Sequence, residues 1–311
     1  MPINKERADK IGEMAKTMSR KQIAKNLGIK RESVSRYLKH YRHNNDLKPT
    51  IKANVLLVDI ETLFGVGRFW HVWKENIQPW QIIQPTCILS WAAKWLFEPE
   101  VFGDIMTSKE VVSRDSKRIV KTLWDVMERA DVVVAHNGRA FDILRMNTEF
   151  LLHGLGQPAP YKVIDTCLVA RKYFSFEHNT LDNLAERLGL SRKIHTDNDL
   201  WVKCNAGNPR ALKDMLEYNK MDVQVLEEVY VKLRSWIKDH PNLSLFHSVE
   251  EDGGVPRCRT CTSINLELLG EYTTSVNRYN SYRCKDCGAI MRSRRSNTSL
   301  IRDTHVLQGI S

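Results

Sequence analysis

Nearly continuous apolar runs alternate with amphipathic stretches through the middle of the chain. The run VLLVDI, which begins at Val55, has the length and composition of a buried central strand. CILSWAAKWL and EVFGDIMT predict the second and third strands of a meander, and DVVVAHN and YKVIDTCLVA predict two later strands. Helical spacing of apolar positions predicts helices over residues 115–129, 141–153, 180–188 and 209–237. Strands first, followed by alternating helices and strands, predict an α/β fold in which helices cover a sheet.

The first fifty residues show a different pattern, with two short helices separated by a glycine. Ser19 can cap a helix that ends at Gly28, and Ile29 is expected to fill the turn. A helix around residues 6–16 would complete a three-helix unit. The segment resembles the helix-turn-helix of bacterial regulators and recombinases, whose second helix enters the major groove, although such helical pairs also occur as plain packing units. The second helix carries the candidate DNA contacts Arg31, Ser33, Ser35, Arg36 and Lys39.

Acidic residues stand at the ends of predicted elements, where one fold could bring them together. Asp59 and Glu61 lie two apart on the first strand, so both point to one face of the sheet. Asp142 begins a helix after a later strand, and Asp222 lies on the long helix. Converging carboxylates repel one another unless divalent cations neutralise them, and a pair of such cations commonly hydrolyses phosphodiesters. The pattern predicts a metal-dependent nuclease that binds two Mg²⁺ or Mn²⁺ ions.

The acidic motifs and their order resemble a known enzyme family. They are D-I-E at the first strand, N-x3-F-D after a later strand and Y-x3-D on the long helix. This set looks like that of the DEDDy 3′–5′ exonucleases of the RNase H-like superfamily, which include the proofreading domains of family B polymerases. The resemblance covers about residues 55–237 and implies an RNase H-like mixed sheet flanked by helices. In the sister DEDDh group a histidine replaces Glu217, so the tyrosine subtype is favoured.

The resemblance implies a role for each residue of the motifs. Asp59 is expected to bridge both metal ions and Glu61 to bind the ion that activates water. Asp142 and Asp222 complete the metal ligands, and Tyr218, one helical turn before Asp222, is expected to orient the attacking water. The implied reaction removes nucleoside 5′-monophosphates one at a time from a 3′ end.

Several residues near the motifs have two interpretations. By resemblance, Asn137 and Phe141 shape the channel for the single strand, although Phe141 also suits a core position at a helix start. Asp165 could support the metal ligands from behind, although a role in a turn or cap is favoured, and His136 is expected to be packed or exposed rather than a base. The loop over residues 64–73 carries aromatic side chains that either stack on unpaired bases or pack as a hairpin on the sheet. These are Phe69, Trp70 and Trp73.

Four of the seven cysteines form two CxxC pairs near the end of the sequence. Cys258 and Cys261 are separated by 22 residues from Cys284 and Cys287. Four thiolates suit tetrahedral zinc, and a segment this short needs the metal in order to fold. The pattern resembles zinc ribbons and predicts one structural Zn²⁺.

The net charge of +10 is concentrated at the two ends of the sequence. Residues 1–50 carry +8 and residues 251–311 carry +3, whereas the middle is nearly neutral. Basic flanks suit modules that hold a polyanion, although a solvated basic tail gives the same pattern. No apolar run approaches the length of a membrane helix and the sequence MPINKERADK lacks a signal peptide, so we expect a cytoplasmic protein.

These features predict a chain of several modules that acts on DNA. The expected substrates are single-stranded or frayed 3′ ends for the middle domain and duplex DNA for the helix-turn-helix, with a replication or recombination protein as a candidate partner. The alternatives are an RNA 3′ exonuclease, and a DNA-binding regulator or recombination protein whose RNase H-like domain is inactive or endonucleolytic. The predicted boundaries are 1–45 (helix-turn-helix), 46–54 (linker), 55–240 (exonuclease domain), 241–255 (linker), 256–295 (zinc ribbon) and 296–311 (tail).

Overall fold

The computed structural model describes most of the middle of the chain and parts of both flanks. The described residues are 7, 10, 11, 14, 18–34, 37, 51–71, 73, 76–191, 198–247 and 255–297. The chain separates into two units, one formed by residues 53–239 and the other by residues 1–52 and 240–311. Parts of both predicted linkers and most of the predicted tail lie outside the described residues.

A mixed five-stranded sheet forms the centre of the 53–239 unit. The strands are β1 (Val55–Leu63), β2 (Val66–Gly67), β3 (Ile82–Gln84), β4 (Cys87–Trp95), β5 (Val101–Ile105), β6 (Val132–Ala135) and β7 (Lys162–Asp165). β1, β4 and β5 form an antiparallel meander, β6 and β7 run parallel to β1, and the order is β5-β4-β1-β6-β7. β2 and β3 form a small ladder of their own. The predicted α/β class with an RNase H-like mixed sheet is confirmed.

Helices of the 53–239 unit cover this sheet. After α1 (Arg20–Leu27), which belongs to the other unit, the described helices in chain order are α2 (Ser108–Ser113), α3 (Lys117–Met127), α4 (Asp142–Leu152), α5 (Thr166–Tyr173), α6 (Leu181–Arg187), α7 (Asn198–Asn205) and α8 (Pro209–Leu233). Asn208 caps α8 and Pro209 occupies its first turn, where no backbone donor is needed. The helix packs against β1, β4 and β5. The four predicted helices correspond to α3, α4, α6 and α8, and the prediction missed α2, α5 and α7.

β1 occupies the middle of the sheet because both of its faces are covered. Its first four residues are almost completely buried, as a continuous apolar run requires. Ile119 and Leu123 of α3, and Met215 of α8, belong to the same hydrophobic core. The strand is hydrogen-bonded on one side to β4 and on the other to β6. The pairing with β6 holds Val55–Leu57, and the pairing with β4 continues through Asp59 and Glu61, so the strand leads into the acidic segment from a fixed position.

The N-terminal residues that the structure describes surround a small apolar core. Ser19 caps α1 in a capping box with Gln22, and the helix ends at Gly28, whose φ of 59° is left-handed, as predicted. Residues 31–34 are also helical. The core consists of Ile11, Ile23 and Val34. Of the candidate DNA contacts, Arg31 is exposed and Ser33 is half-buried, whereas Ser35, Arg36 and Lys39 lie outside the described residues.

The C-terminal flank contains a second, small sheet. Its strands are β8 (Leu266–Thr273), β9 (Arg278–Cys284) and β10 (Ile290–Arg292), which are antiparallel in the order β10-β9-β8. The buried cysteines beside it form a core with Ala289. Across the described part of the chain, no helix is both long and apolar enough to cross a membrane.

Arg118 of α3 ties the edge of the sheet to two helices. Its guanidinium donates to Asp104 of β5 at 2.6 Å, to Glu110 of α2 at 2.7 Å and to the carbonyl of Ile105 at 2.8 Å. The hydrogen bond from Arg118 is the main reason why the pKa of Glu110 falls from its ordinary 4.5 to about 2. A shared charged clamp of this kind stabilises the fold more than an isolated surface pair.

We predict that Arg118→Ala lowers the free energy of unfolding by about 1–2 kcal/mol at pH 7, a range reduced for the partial exposure of the guanidinium. Because the pKa of Glu110 is depressed in the folded state, this stabilisation is present above pH 4.5 and is lost as the pH falls towards 2. The difference between wild type and variant should therefore shrink between pH 5 and pH 3. Urea unfolding followed by tryptophan fluorescence measures it, since all eight tryptophans lie within residues 70–236.

Lys121→Ala is the matched control on the same helix. Lys121 forms an exposed pair with Asp125, and its removal should cost about 0.5 kcal/mol or less. Equal losses for the two variants would contradict the clamp, as would an Arg118→Ala effect that does not change with pH.

Candidate active site

Three carboxylates converge between the central strand and the longest helix. Asp59, Glu61 and Asp222 each offer a carboxylate oxygen within 4.8 Å of the others. The two-residue repeat of β1 directs Asp59 and Glu61 to one face, and α8 brings Asp222 to them. Asp222 is buried and the other two acids are half-buried. The structure therefore brings together three of the four predicted acids, from segments about 160 residues apart.

A buried amide orients Asp59, and the sequence analysis missed it. Asn219 of α8 is completely buried and donates from Nδ2 to Oδ2 of Asp59 at 2.6 Å. Its Oδ1 accepts from the hydroxyl of Ser90 at 3.1 Å. Ser90 of β4 is also buried and lies opposite Glu61 in the ladder. The available sequence signals are a polar residue within an apolar strand, and an amide three residues before Asp222 on the same helical face.

Asp142 lies against the backbone of the same strand. It is the first residue of α4, it is buried, and its Oδ1 accepts from the N–H of Ile60 at 3.3 Å. Ile60 stands between Asp59 and Glu61, so Asp142 reaches the acidic segment although it is not one of the three clustered carboxylates. Burial raises the pKa of Asp142 to about 7, and the negative charge of Asp165 adds to the effect.

Tyr218 places a neutral hydroxyl beside the acids. Its ring packs edge-on against Trp201 of α7, with 5.8 Å between the ring centroids. Burial raises the pKa of Tyr218, and the negative charges of Asp222, Glu61 and Asp59, together with a hydrogen bond to Asp222, raise it further. The phenol therefore stays protonated at neutral pH and can donate a hydrogen bond.

Asp165 shapes the loop that leads into Asp142. Its carboxylate caps α5 and also accepts from the backbone N–H groups of Asn137 and Arg139, both at 3.0 Å. Asn137 adopts a left-handed φ of 61° in this loop. The predicted capping role of Asp165 is confirmed.

Two further expectations around this loop are settled by burial and contacts. His136 bonds the hydroxyl of Thr166 and the carbonyl of Asn179, both at 2.9 Å, which confirms that it is a packed residue. Phe141 is 43% exposed, so the core position considered for it is wrong. It lies immediately before Asp142, where an exposed ring is open to a ligand.

The four C-terminal cysteines form two similar turns that face each other. In each turn the first cysteine accepts a backbone hydrogen bond from the residue after the second, which is Thr262 in one and Gly288 in the other. Both of these residues have left-handed φ values, 63° and 79°. The sulfur–sulfur distances across the cluster are 3.6 Å for Cys258–Cys287 and 3.5 Å for Cys261–Cys284.

This donor set fits zinc. A tetrahedron with zinc–sulfur bonds of about 2.3 Å has edges of about 3.8 Å, close to the observed sulfur spacing. Hydrogen bonds among the four thiols lower the pKa of Cys258 and Cys284 and raise the pKa of Cys261 and Cys287, so a bound metal ion would be needed to hold all four as thiolates. The cluster comprises Cys258, Cys261, Cys284 and Cys287.

Two family models match the sequence. Residues 103–234 match the model of the RNase H superfamily, a stretch that includes Asp142, Tyr218 and Asp222. Residues 15–84 match the model of the KorB domain. The stretch over residues 103–234 is therefore similar to the RNase H superfamily, and the similarity together with the acidic site supports a nuclease-type function.

Comparison with solved structures gives the family B DNA polymerase of the hyperthermophilic archaeon Pyrobaculum calidifontis. The match has 16% sequence identity and a TM-score of 0.46, and it covers 66% of this chain. It spans only 26% of the polymerase chain. No match was found among curated protein sequences.

We predict that Asn219→Ala weakens the binding of Mn²⁺ by about tenfold or more, because outer hydrogen bonds that orient metal ligands have effects of this size. Isothermal titration with Mn²⁺ measures the change without depending on hydrolysis. Gln224→Ala removes an exposed amide from the same helix and should leave Mn²⁺ affinity unchanged. Unchanged affinity in a folded Asn219→Ala protein would contradict a ligand-orienting role.

We also predict that Cys284→Ser loses most of its bound zinc, because removing one of four thiolates opens the site. Elemental analysis after gel filtration measures zinc per chain. Cys167→Ser, which alters a buried cysteine of the other unit, is the control and should retain zinc. Equal zinc content in the two variants would show that the four-cysteine cluster is not the zinc site.

Proposed function

We propose that the protein is a metal-dependent 3′–5′ exonuclease of the DEDDy type, with DNA as its substrate. One observation carries this proposal: the Asp59, Glu61 and Asp222 carboxylates cluster beside the hydroxyl of Tyr218 on an RNase H-like sheet. The first and third motifs thus supply their side chains to one cluster, and Asp142 of the second motif contacts the backbone of Ile60 beside it. The match of residues 15–84 to the DNA-binding KorB domain supports DNA over RNA.

The acidic donors fit hard divalent cations. Carboxylate oxygens are the ligands preferred by Mg²⁺ and Mn²⁺, and three such oxygens lie close enough together to share bound ions. Asp59, Glu61, Asp142 and Asp222 are the residues that would hold two ions. Bound there, the ions would lower the pKa of water and polarise the scissile phosphate.

Other side chains of the protein orient the carboxylates that would bind these ions. Asn219 fixes the rotation of the Asp59 carboxylate, so that its second oxygen faces the site in one direction. Asp142 would join the same site, because nearby cations favour ionisation of this buried carboxyl group.

Tyr218 is proposed to position the attacking water. Its hydroxyl is a donor that remains protonated, and the contact with Trp201 restricts the ring. Because the phenol is one helical turn from Asp222, water held by the carboxylates lies within its reach. Holding the nucleophile in line with the phosphorus lowers the entropic part of the barrier.

The test uses 5′-labelled single-stranded DNA with Mg²⁺, on which wild type should produce a ladder of shortened products and release nucleoside 5′-monophosphates. We predict that Asp222→Asn lowers the rate by about 10³-fold or more, since it removes a charged ligand that acts on the transition state. Tyr218→Phe should lower it by about 10–100-fold, since the carboxylates remain and only orientation is lost.

Glu217→Gln is the matched control, because Glu217 precedes Tyr218 on α8 but is largely exposed. It should retain wild-type activity. Cleavage of circular DNA, or of strands with blocked 3′ ends, would instead show an endonuclease. Faster hydrolysis of matched RNA would assign the enzyme to RNA, and equal rates for Asp222→Asn and wild type would contradict the proposed centre.

A further inference from the structure

Between β1 and β4 the chain leaves the sheet to form an arm, residues 64–86, that displays aromatic rings to solvent. Trp70 is 82% exposed, Trp73 is 85% exposed and Trp80 is 70% exposed. These are three of the chain's eight tryptophans. Of the two alternatives for these side chains, packing of Trp70 and Trp73 on the sheet is therefore wrong, and the rings form an exposed aromatic surface.

The arm has internal hydrogen bonds of its own, and in it the polar side chain of Gln81 is buried whereas the tryptophan rings are exposed. Gln81 is 3% exposed, and its side chain accepts from the N–H of Gln78 at 2.7 Å and donates to the carbonyl of Arg68 at 2.9 Å. A Cβ on Gly67 would lie 3.2 Å from the carbonyl oxygen of Gln81, so any larger residue there would push the two strands slightly apart. Folding alone favours burial of the tryptophan rings and exposure of the glutamine. Exposed apolar clusters commonly mark binding surfaces.

Two arginines hold the root of the arm, which is the place where its ends, Phe64 and Thr86, adjoin β1 and β4. Arg114 donates to the carbonyls of Phe64 and Pro85, at 3.2 and 3.5 Å, and thereby joins the two ends of the arm. The same guanidinium donates to Asn205 at 2.6 Å. Arg145 of α4 donates to the carbonyl of Thr86 at 3.5 Å. The arm therefore leaves the 53–239 unit from a fixed position.

The root lies next to the acidic site. Phe64 directly follows β1 and lies three residues after Glu61, a distance of about 10 Å in extended chain. Arg145 belongs to α4, the helix that Asp142 begins. The strand and helix that carry three of the four acids thus also hold the arm.

We propose that this arm binds unpaired nucleotides by stacking on Trp70, Trp73 and Trp80, and so guides a single strand towards the acidic site. The substrate class follows from the proposed nuclease function on which this inference rests. Aromatic rings stack on every base, which suits a site that must accept any sequence. In the sequence, Arg68 and Lys74 flank Trp70 and Trp73, and Glu75 is the one acidic residue of 64–86, a charge balance that favours a polyanion. Attachment beside the acids favours nucleic acid over a protein partner.

The test compares a fluorescent oligothymidine with the same oligonucleotide containing abasic sites, in buffer without added Mg²⁺ or Mn²⁺. Wild type should bind the oligothymidine about tenfold more tightly, because only this ligand has bases to stack. The double variant Trp70→Ala with Trp73→Ala should lose that preference and bind oligothymidine about tenfold more weakly than wild type. Trp70→Phe with Trp73→Phe retains aromatic rings and should keep most of the preference.

Trp236→Ala is the control, because Trp236 is 59% exposed but lies outside the arm and packs on Phe174. It should bind both ligands as wild type does. The proposal is overturned if the alanine pair binds oligothymidine normally, or if it weakens both oligonucleotides equally. It is also overturned if the alanine pair changes the sedimentation of the protein but not its oligonucleotide affinity, which would identify a protein interface.

These outcomes separate the arm from the proposed chemistry. Binding is measured without hydrolysis, so a base preference that depends on the tryptophans supports the arm even if Asp222→Asn proves fully active. Conversely, if hydrolysis requires Asp222 but the base preference does not depend on the tryptophans, only the proposal for the arm is contradicted.

Discussion

Mutual repulsion between carboxylates is the constraint on which the rest of this structure depends. At a separation of about 4 Å, two like charges near a protein surface repel by about 4 kcal/mol, and Asp59, Glu61 and Asp222 approach one another to within 4.8 Å. Carboxylates can be held this close together only by a rigid part of the fold. β1 provides it, since hydrogen bonds to β4 and β6 hold both of its edges and a continuous apolar core covers its faces.

Neutral donors help to steady these acids without cancelling their charge. The amide of Asn219, the backbone N–H of Ile60 and the hydroxyl of Tyr218 all bond to carboxylates of the site. A lysine or arginine in the same place would neutralise the negative potential that attracts cations. Hydrogen bonds from uncharged groups fix direction instead, so the site keeps its affinity for positive charge while losing conformational freedom.

The strands and long helices could be predicted because each leaves a local pattern. β1 is a continuous apolar run and α8 repeats apolar residues at helical spacing, whereas α2 and α7 are short and largely polar. α5 follows β7 within one apolar stretch, and only the cap at Asp165 divides strand from helix. The acids could be found from the order of their motifs. Asn219 and Ser90 leave only a weak local signal, an amide on the helical face of Asp222 and a polar residue within an apolar strand, and Arg114 leaves none. Their bonds join residues far apart in sequence, so the partners could not be predicted.

The two cysteine turns of the C-terminal flank have the same hydrogen-bond pattern but differ in backbone strain. Gly288 takes its left-handed conformation freely, while Thr262, a β-branched residue at φ 63°, holds one at a cost of about 1–3 kcal/mol. The turn that contains Thr262 is thus strained while the four cysteines are held together. With zinc as the proposed ligand, we expect its removal to release this turn first, so that loss of structure spreads from Cys258 and Cys261 towards the strands.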